Sequence, residues 1–204
     1  MKKLLSPLQM LLMFAALLVA WIPPVAAVPD MDDDAIFHFP GANHRLITWQ
    51  VEDFEAGTYI AYAQHSRDGG ATWAPPRAYL SLTPSNYVME EFDGVYLLDG
   101  GRVLVSMLLQ RPSGEYVFAV VISRNYGATW GALRPVFELS GTTIDCPALN
   151  THIRKATPSE VELITTFSPA AGKAYIYLIS SRDSGRTWST RRLGRVPHQN
   201  PGGC

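Results

Sequence analysis

An octapeptide returns three times along this chain of 204 residues: SRDGGATW at 66–73, SRNYGATW at 123–130 and SRDSGRTW at 181–188. Their opening serines are 57 and 58 residues apart. A fixed period of that length marks a repeated supersecondary unit whose copies stack on one another. The flanking residues say what the unit is. Before each octapeptide runs a segment rich in Tyr, Val, Ile and Phe: GTYIAYAQHS, GEYVFAVVIS and KAYIYLISS. Another lies earlier in each unit (RLITWQV, GRVLVSMLL, VELITTF), and a third follows (PRAYLSL, RPVFEL, TRRLGRV). None has a helical period and all have strand composition. LLDGGRVL and RPSGEY read as turns. The expectation is an antiparallel meander per unit, with the octapeptide as the turn between its last two strands. Repeated four-stranded meanders of this kind build a β-propeller.

The shared skeleton is Ser, any, Asp or Asn, any, Gly, any, Thr, Trp, and each fixed position has a structural task. Ser66, Ser123 and Ser181 close the preceding strand. Asp68, Asn125 and Asp183 carry a short side-chain oxygen that accepts backbone N–H groups a few residues on. Gly70, Gly127 and Gly185 stand where a tight turn calls for positive φ. Trp73, Trp130 and Trp188 offer a large apolar body to pin the turn. Asn125 argues against catalysis, because it keeps the acceptor and loses the acid.

The amino terminus has a different character. Met1-Lys2-Lys3 is basic, and Leu8 to Ile22 is an uncharged run of apolar residues broken only by Gln9. Val25 and Ala27 are small residues at the −3 and −1 positions of a cleavage site. This is the layout of a secretory signal peptide over 1–27, cleaved after Ala27, and implies a secreted or periplasmic protein. The apolar run is shorter than the ~20 residues of a spanning helix, so no stable membrane span is expected after cleavage. Removing 1–27 takes two lysines and no acid from 17 basic and 18 acidic residues, leaving a net charge near −3. That excludes an electrostatic footprint for nucleic acid. PDMDDD at 29–34 reads as a solvated acidic leader. Cys146 and Cys204 could pair only in an oxidising compartment. No spacing suits a metal, and no cofactor motif is present.

The pattern S-x-D-x-G-x-T-W resembles the Asp-box, or BNR repeat, of the sialidase (neuraminidase) superfamily, and the resemblance covers about residues 35–204. It implies an all-β, sialidase-like β-propeller at 28–204, with about three four-stranded antiparallel blades, half of the family's six-bladed ring. It further implies that the octapeptides lie at the outer rim, away from the catalytic centre. The family's exo-sialidases hold the substrate carboxylate with three arginines, whose guanidinium forks match it bidentately. They use a tyrosine nucleophile partnered by a glutamate, and an aspartate as acid/base, an exception to the two-carboxylate scheme.

Carried onto this chain, the first arginine's F/Y-R-I-P motif falls on IFHFPG, where His38 occupies the arginine position. Imidazole is a poor substitute for a permanent bidentate cation. Asp53, in QVEDFEAGTY before the first octapeptide, is the candidate acid/base, with Glu52 behind it. Arg45 reads as a turn residue, His65 as a strand residue, and Tyr59, Tyr62, Tyr116, Tyr175 and Tyr177 as sheet-packing residues. No motif supports Arg154 as a ligand. The prolines at 40, 147 and 201 look like blade entries, so a fragment of a larger protein is one account of three blades. Self-association through open blade edges is the other. Two functions stay in play. One is a secreted glycoside hydrolase of exo-alpha-sialidase type, acting on terminal sialic acid of glycoconjugates and incomplete as this chain. The other is a non-catalytic propeller that binds glycan or protein.

Overall fold

The computed structural model describes residues 36–53, 55–139, 148–170 and 173–196. The segment 1–27 read as a signal peptide, the acidic run at 29–34, both cysteines, Pro147 and Pro201 lie outside the described residues. Twelve strands follow in chain order: β1 (Ile36–His38), β2 (Arg45–Asp53), β3 (Thr58–Ser66), β4 (Arg77–Leu82), β5 (Val88–Leu98), β6 (Arg102–Gln110), β7 (Tyr116–Ser123), β8 (Arg134–Leu139), β9 (Ala148–Ala156), β10 (Val161–Ala170), β11 (Lys173–Ser181) and β12 (Ser189–Val196). They form three four-stranded antiparallel sheets, each pairing its strands in sequence order, so each is an up-and-down meander. The described residues contain no α-helix, only one 3-10 turn over Asp99–Gly101. The fold is all-β, three successive propeller blades.

Burial follows from blade order. Blade 2 is covered on both faces. Val105, Met107, Val117 and Ala119 pack on Tyr59, Ala61 and Leu80 of blade 1. Leu104, Leu108, Phe118 and Ile122 pack on Leu163, Phe167 and Ile179 of blade 3. Its central strands β6 and β7 are therefore buried almost end to end, which is why VLVSMLL and VFAVVI are continuous apolar runs. A strand covered on two faces has no solvated side to mark with polar residues. In blade 1, β3 alternates between buried and half-buried positions, the pattern of a strand with one well-covered face. The first strands of blades 2 and 3, β5 and β9, neighbour each other across the blade joint.

Each octapeptide joins the third and fourth strands of its blade, between β3 and β4, β7 and β8, and β11 and β12. This is the position expected from sequence, in the outer half of each meander. In a meander the first–second and third–fourth turns share one end, and the hydrogen bonds show it. The N–H of the fourth octapeptide residue donates to the first–second turn of the same blade: Gly69 to Asn43 O (2.7 Å), Tyr126 to Gly101 O (2.6 Å) and Ser184 to Ser159 O (2.9 Å). The second–third hairpins lie at the opposite end.

Candidate functional site

The three octapeptides use one hydrogen-bond scheme. The serine Oγ accepts from the N–H of the glycine four residues on, at 2.9, 2.9 and 2.8 Å in chain order. The same Oγ donates to the Asp or Asn Oδ1, at 2.8, 3.2 and 2.9 Å. That Oδ1 accepts from the threonine N–H at 2.9, 2.8 and 2.8 Å. The threonine hydroxyl then donates to the second carboxylate oxygen of Asp68 and of Asp183, at 2.6 Å in both. In the middle copy this last bond reverses, with Asn125 Nδ2 donating to Thr129 Oγ1 at 2.9 Å. Threonine can give or take a proton, so the amide replaces the carboxylate without losing a bond. Hydrogen bonds from Thr72, then from Ser66, hold the Asp68 carboxyl down to about 2, and those from Thr187 hold Asp183 lower still. A carboxylate fixed in this way neither gives nor takes a proton near neutral pH. The octapeptides are turn staples.

The two candidate site residues do not meet. His38 ends β1 and pairs with Arg45, beside the turn that contacts the octapeptide. Asp53 ends β2 and pairs with Thr58 at the second–third hairpin. Eight residues of β2 separate those levels, roughly 26 Å at the ordinary rise of a strand. His38 lines a cavity with Pro40, Asp99, Gly101 and Tyr126 at the octapeptide end. Arg45 donates to the carbonyls of His44 (2.8 Å) and Ala42 (3.3 Å), closing the first turn as expected.

Asp53 lines a cleft of about 210 Å³ at the other end, with Glu52, Gly57, Thr58 and Tyr59 from blade 1 and Val88 and Met89 from blade 2. Its Oδ1 accepts the N–H groups of Glu55 (3.1 Å) and Ala56 (3.0 Å), which fixes the carboxylate at the hairpin while the residue stays exposed. Tyr59 donates to Gln50 Oε1 at 2.8 Å. Burial first, then the charge of Glu52, pushes its phenol well above the ordinary tyrosine value. The phenol stays protonated, so Tyr59 is a hydrogen-bonding wall and not an activated nucleophile. Nearby on β5, burial also raises the Glu90 carboxyl.

The other tyrosines read as packing residues from sequence lie in strands. Tyr62 stacks on Trp49 (5.5 Å), Tyr177 tilts against Phe137 (4.6 Å), and Tyr175 sits under the Arg192 guanidinium (5.1 Å). His65 lies in β3, where burial, then Arg67, His44 and Arg77, lowers its pKa. Arg154 pairs with Glu162 at 3.5 Å.

The structure adds one polar cluster that the sequence reading did not single out. Asp93, on β5, accepts from the Ser106 hydroxyl, from Tyr96 OH (3.0 Å) and from Thr151 N (3.2 Å) across the joint to blade 3. Tyr96 OH also reaches Thr151 O at 3.0 Å, and Thr151 Oγ1 meets Thr165 Oγ1 at 3.0 Å. Burial and the Asp93 charge push the Tyr96 phenol to about 12. Ser106 and Thr165 are fully buried, so the cluster ties two blades together through satisfied polar groups. The signal in sequence was an acid directly before the apolar run GVYLL, in FDGVYLL.

No protein-family model matches the chain, and no curated protein matches it. Solved structures do. A mutant of Trypanosoma rangeli sialidase displaying trans-sialidase activity is 13% identical, with a TM-score of 0.49, over 79% of this chain and 30% of that one. An ulvan lyase of a new polysaccharide lyase family is 9% identical, with a TM-score of 0.47, over 79% of this chain and 46% of that one. A Hadza microbial sialidase is 12% identical, with a TM-score of 0.39, over 76% of this chain and 43% of that one. The chain thus spans less than half the length of each of these three structures. The likeness is one of fold, which the three sheets establish on their own. Among the described residues no three His, Cys, Asp or Glu side chains cluster as a metal site, and no helix is long and apolar enough to cross a membrane.

Proposed function

We propose that this chain is a sialidase-type β-propeller that engages glycans with terminal sialic acid at the end opposite its octapeptides, and that it does not hydrolyse them by itself. The observation that carries the first half is the octapeptide. Its three copies resemble the Asp-box in sequence, and they share one hydrogen-bond scheme at one blade position. The second half rests on the two site candidates: His38 stands where the resemblance puts an arginine, and it lies at the opposite end of β2 from Asp53. Asp53 is then a glycan-facing carboxylate in the cleft with Tyr59 and Met89. Export through the segment 1–27 would bring the protein to such glycans.

The test pairs a fluorogenic sialoside with an array of sialylated and neutral glycans, both probed with the purified, folded chain. Binding to sialylated glycans without turnover is expected. Turnover that Asp53→Asn abolishes would overturn the non-hydrolytic half. No preference for sialylated over neutral glycans would overturn the ligand.

A further inference from the structure

The two blade joints within the chain share one feature, although the side chain comes from β2 at the first and from β7 at the second. At each, an apolar side chain of the earlier blade fills the space over the octapeptide glycine of the next. A Cβ on Gly127 would lie 2.4 Å from Leu46 Cδ1 of blade 1, and one on Gly185 would lie 2.1 Å from Ile122 Cδ1 of blade 2. At the second joint two arginines of blade 2 also grip the blade 3 octapeptide. Arg124 donates to Ser184 O (3.0 Å) and Arg134 to Arg186 O (3.1 Å).

Blade 3 repeats the gripping side of this joint. Arg182 takes the place of Arg124 one residue after the octapeptide serine; its side chain is 89% exposed, with only Nε near Glu160 at 3.9 Å. Arg191 takes the place of Arg134, since Arg134 pairs with Val120 and Arg191 with Leu178, each three residues before the serine. Phe118 and Val120 are fully buried against blade 3, whereas their equivalents Ile176 and Leu178 are only half-buried. The complementary side is on blade 1. A Cβ on Gly70 would meet nothing within 4 Å beyond its own Trp73. Behind it, Ile60 and Tyr62 are half-buried and Val51 is 46% exposed, at the positions where blade 3 presents Tyr175, Tyr177 and Phe167.

We propose that the chain associates head to tail with a second copy of itself, blade 3 of one copy receiving the octapeptide turn of blade 1 of the other. Arg182 and Arg191 then bond the carbonyls of Gly69 and Ala71, which correspond to those of Ser184 and Arg186. Leu178 and Ile176 cover the apolar side of blade 1. This contact repeats the joint that blade 2 makes with blade 3. It is the weaker version, because Ser180 stands where Ile122 supplies the apolar knob. The contact is heterologous, so each copy contributes a different face.

Sedimentation equilibrium on the full chain over a wide concentration range tests this, with one variant per face. Arg182→Glu alters the gripping face and Val51→Lys the receiving face. Both positions are exposed, and thermal melts followed by circular dichroism check that the variants stay folded. The wild type should show a mass above one chain that rises with concentration. Each variant alone should stay at one chain, and an equimolar mixture should recover association, because it restores one intact pair of faces. A wild type that remains a single chain at every concentration overturns the proposal. So does a single variant that associates as the wild type does, or a mixture that fails to recover.

Discussion

Placing alanine at the three octapeptide glycines separates backbone strain from packing. All three have positive φ: 98° at Gly70, 80° at Gly127 and 81° at Gly185. An L-residue there costs about 1–2 kcal/mol from its own backbone. At Gly70 little more is added, since the new methyl meets only Trp73 Cζ2 at 3.7 Å. At Gly127 and Gly185 it would fall 2.4 and 2.1 Å from the methyls of Leu46 and Ile122. Leu46 is 0% and Ile122 6% exposed, so neither has room to swing aside. Overpacking of that kind adds about 1–3 kcal/mol. Gly70→Ala should therefore cost about 1–2 kcal/mol, and the other two roughly 2–5 kcal/mol. In urea unfolding, a 2 kcal/mol gap at an ordinary slope displaces the midpoint by roughly 1 M. Ile122→Val sharpens the test, because it deletes the clashing Cδ1 itself. Alone it costs about 0.5–1.5 kcal/mol. Combined with Gly185→Ala it should recover about 1 kcal/mol or more of coupling energy. Equal costs at all three glycines, or strict additivity in the double variant, would refute the docking of octapeptides on the preceding blade.

Further outcomes follow from the same bonds. Asp68 and Asp183 have folded pKa values held below the ordinary 3.8, so their stabilisation is complete above that value and is lost as pH falls towards about 2. The double variant Asp68→Asn/Asp183→Asn should flatten this acid limb in urea titrations at stepped pH, and Asn125→Asp should steepen it. Ser123→Ala leaves the buried N–H of Gly127 and the part-buried N–H of Asn125 without their shared acceptor, at a cost of about 1–3 kcal/mol read from the same titration. Asp93→Ala strips the acceptor from Ser106, Tyr96 and Thr151 and should loosen blade 3 from blade 2. Faster hydrogen exchange at Thr151, without change in β2 or β3, would show it.

The parts of the fold that show in the sequence are those whose local chemistry repeats. Nine strands are visible because their composition recurs at one distance from the octapeptide. The first strand of blade 2 is not, and its geometry says why. β5 carries irregularities between Met89 and Glu91 and between Phe92 and Gly94, and these break the two-residue period that identifies a strand. The left-handed fourth position of the octapeptide was also hidden, because it holds Gly69, Tyr126 and Ser184 and shows no preferred residue. The arginine at the second position passed as variable, although Arg67, Arg124 and Arg182 are all arginine. Arg124 reaches into the next blade to bond Ser184 O, and no local pattern records that. His38 and Asp53 are close in sequence, yet the register of β1 with β2 sets them at opposite ends.

Native-state hydrogen exchange at the octapeptide amides bears most directly on the central claim that these turns are structural staples of stacked blades. The N–H groups of Gly127 and Gly185 are buried and donate to serine hydroxyls, and those of Thr72, Thr129 and Thr187 donate to Asp or Asn side chains. Protection of the two glycine amides should approach that of the β6 and β7 amides. Exchange at the rate of an open surface loop would contradict the account.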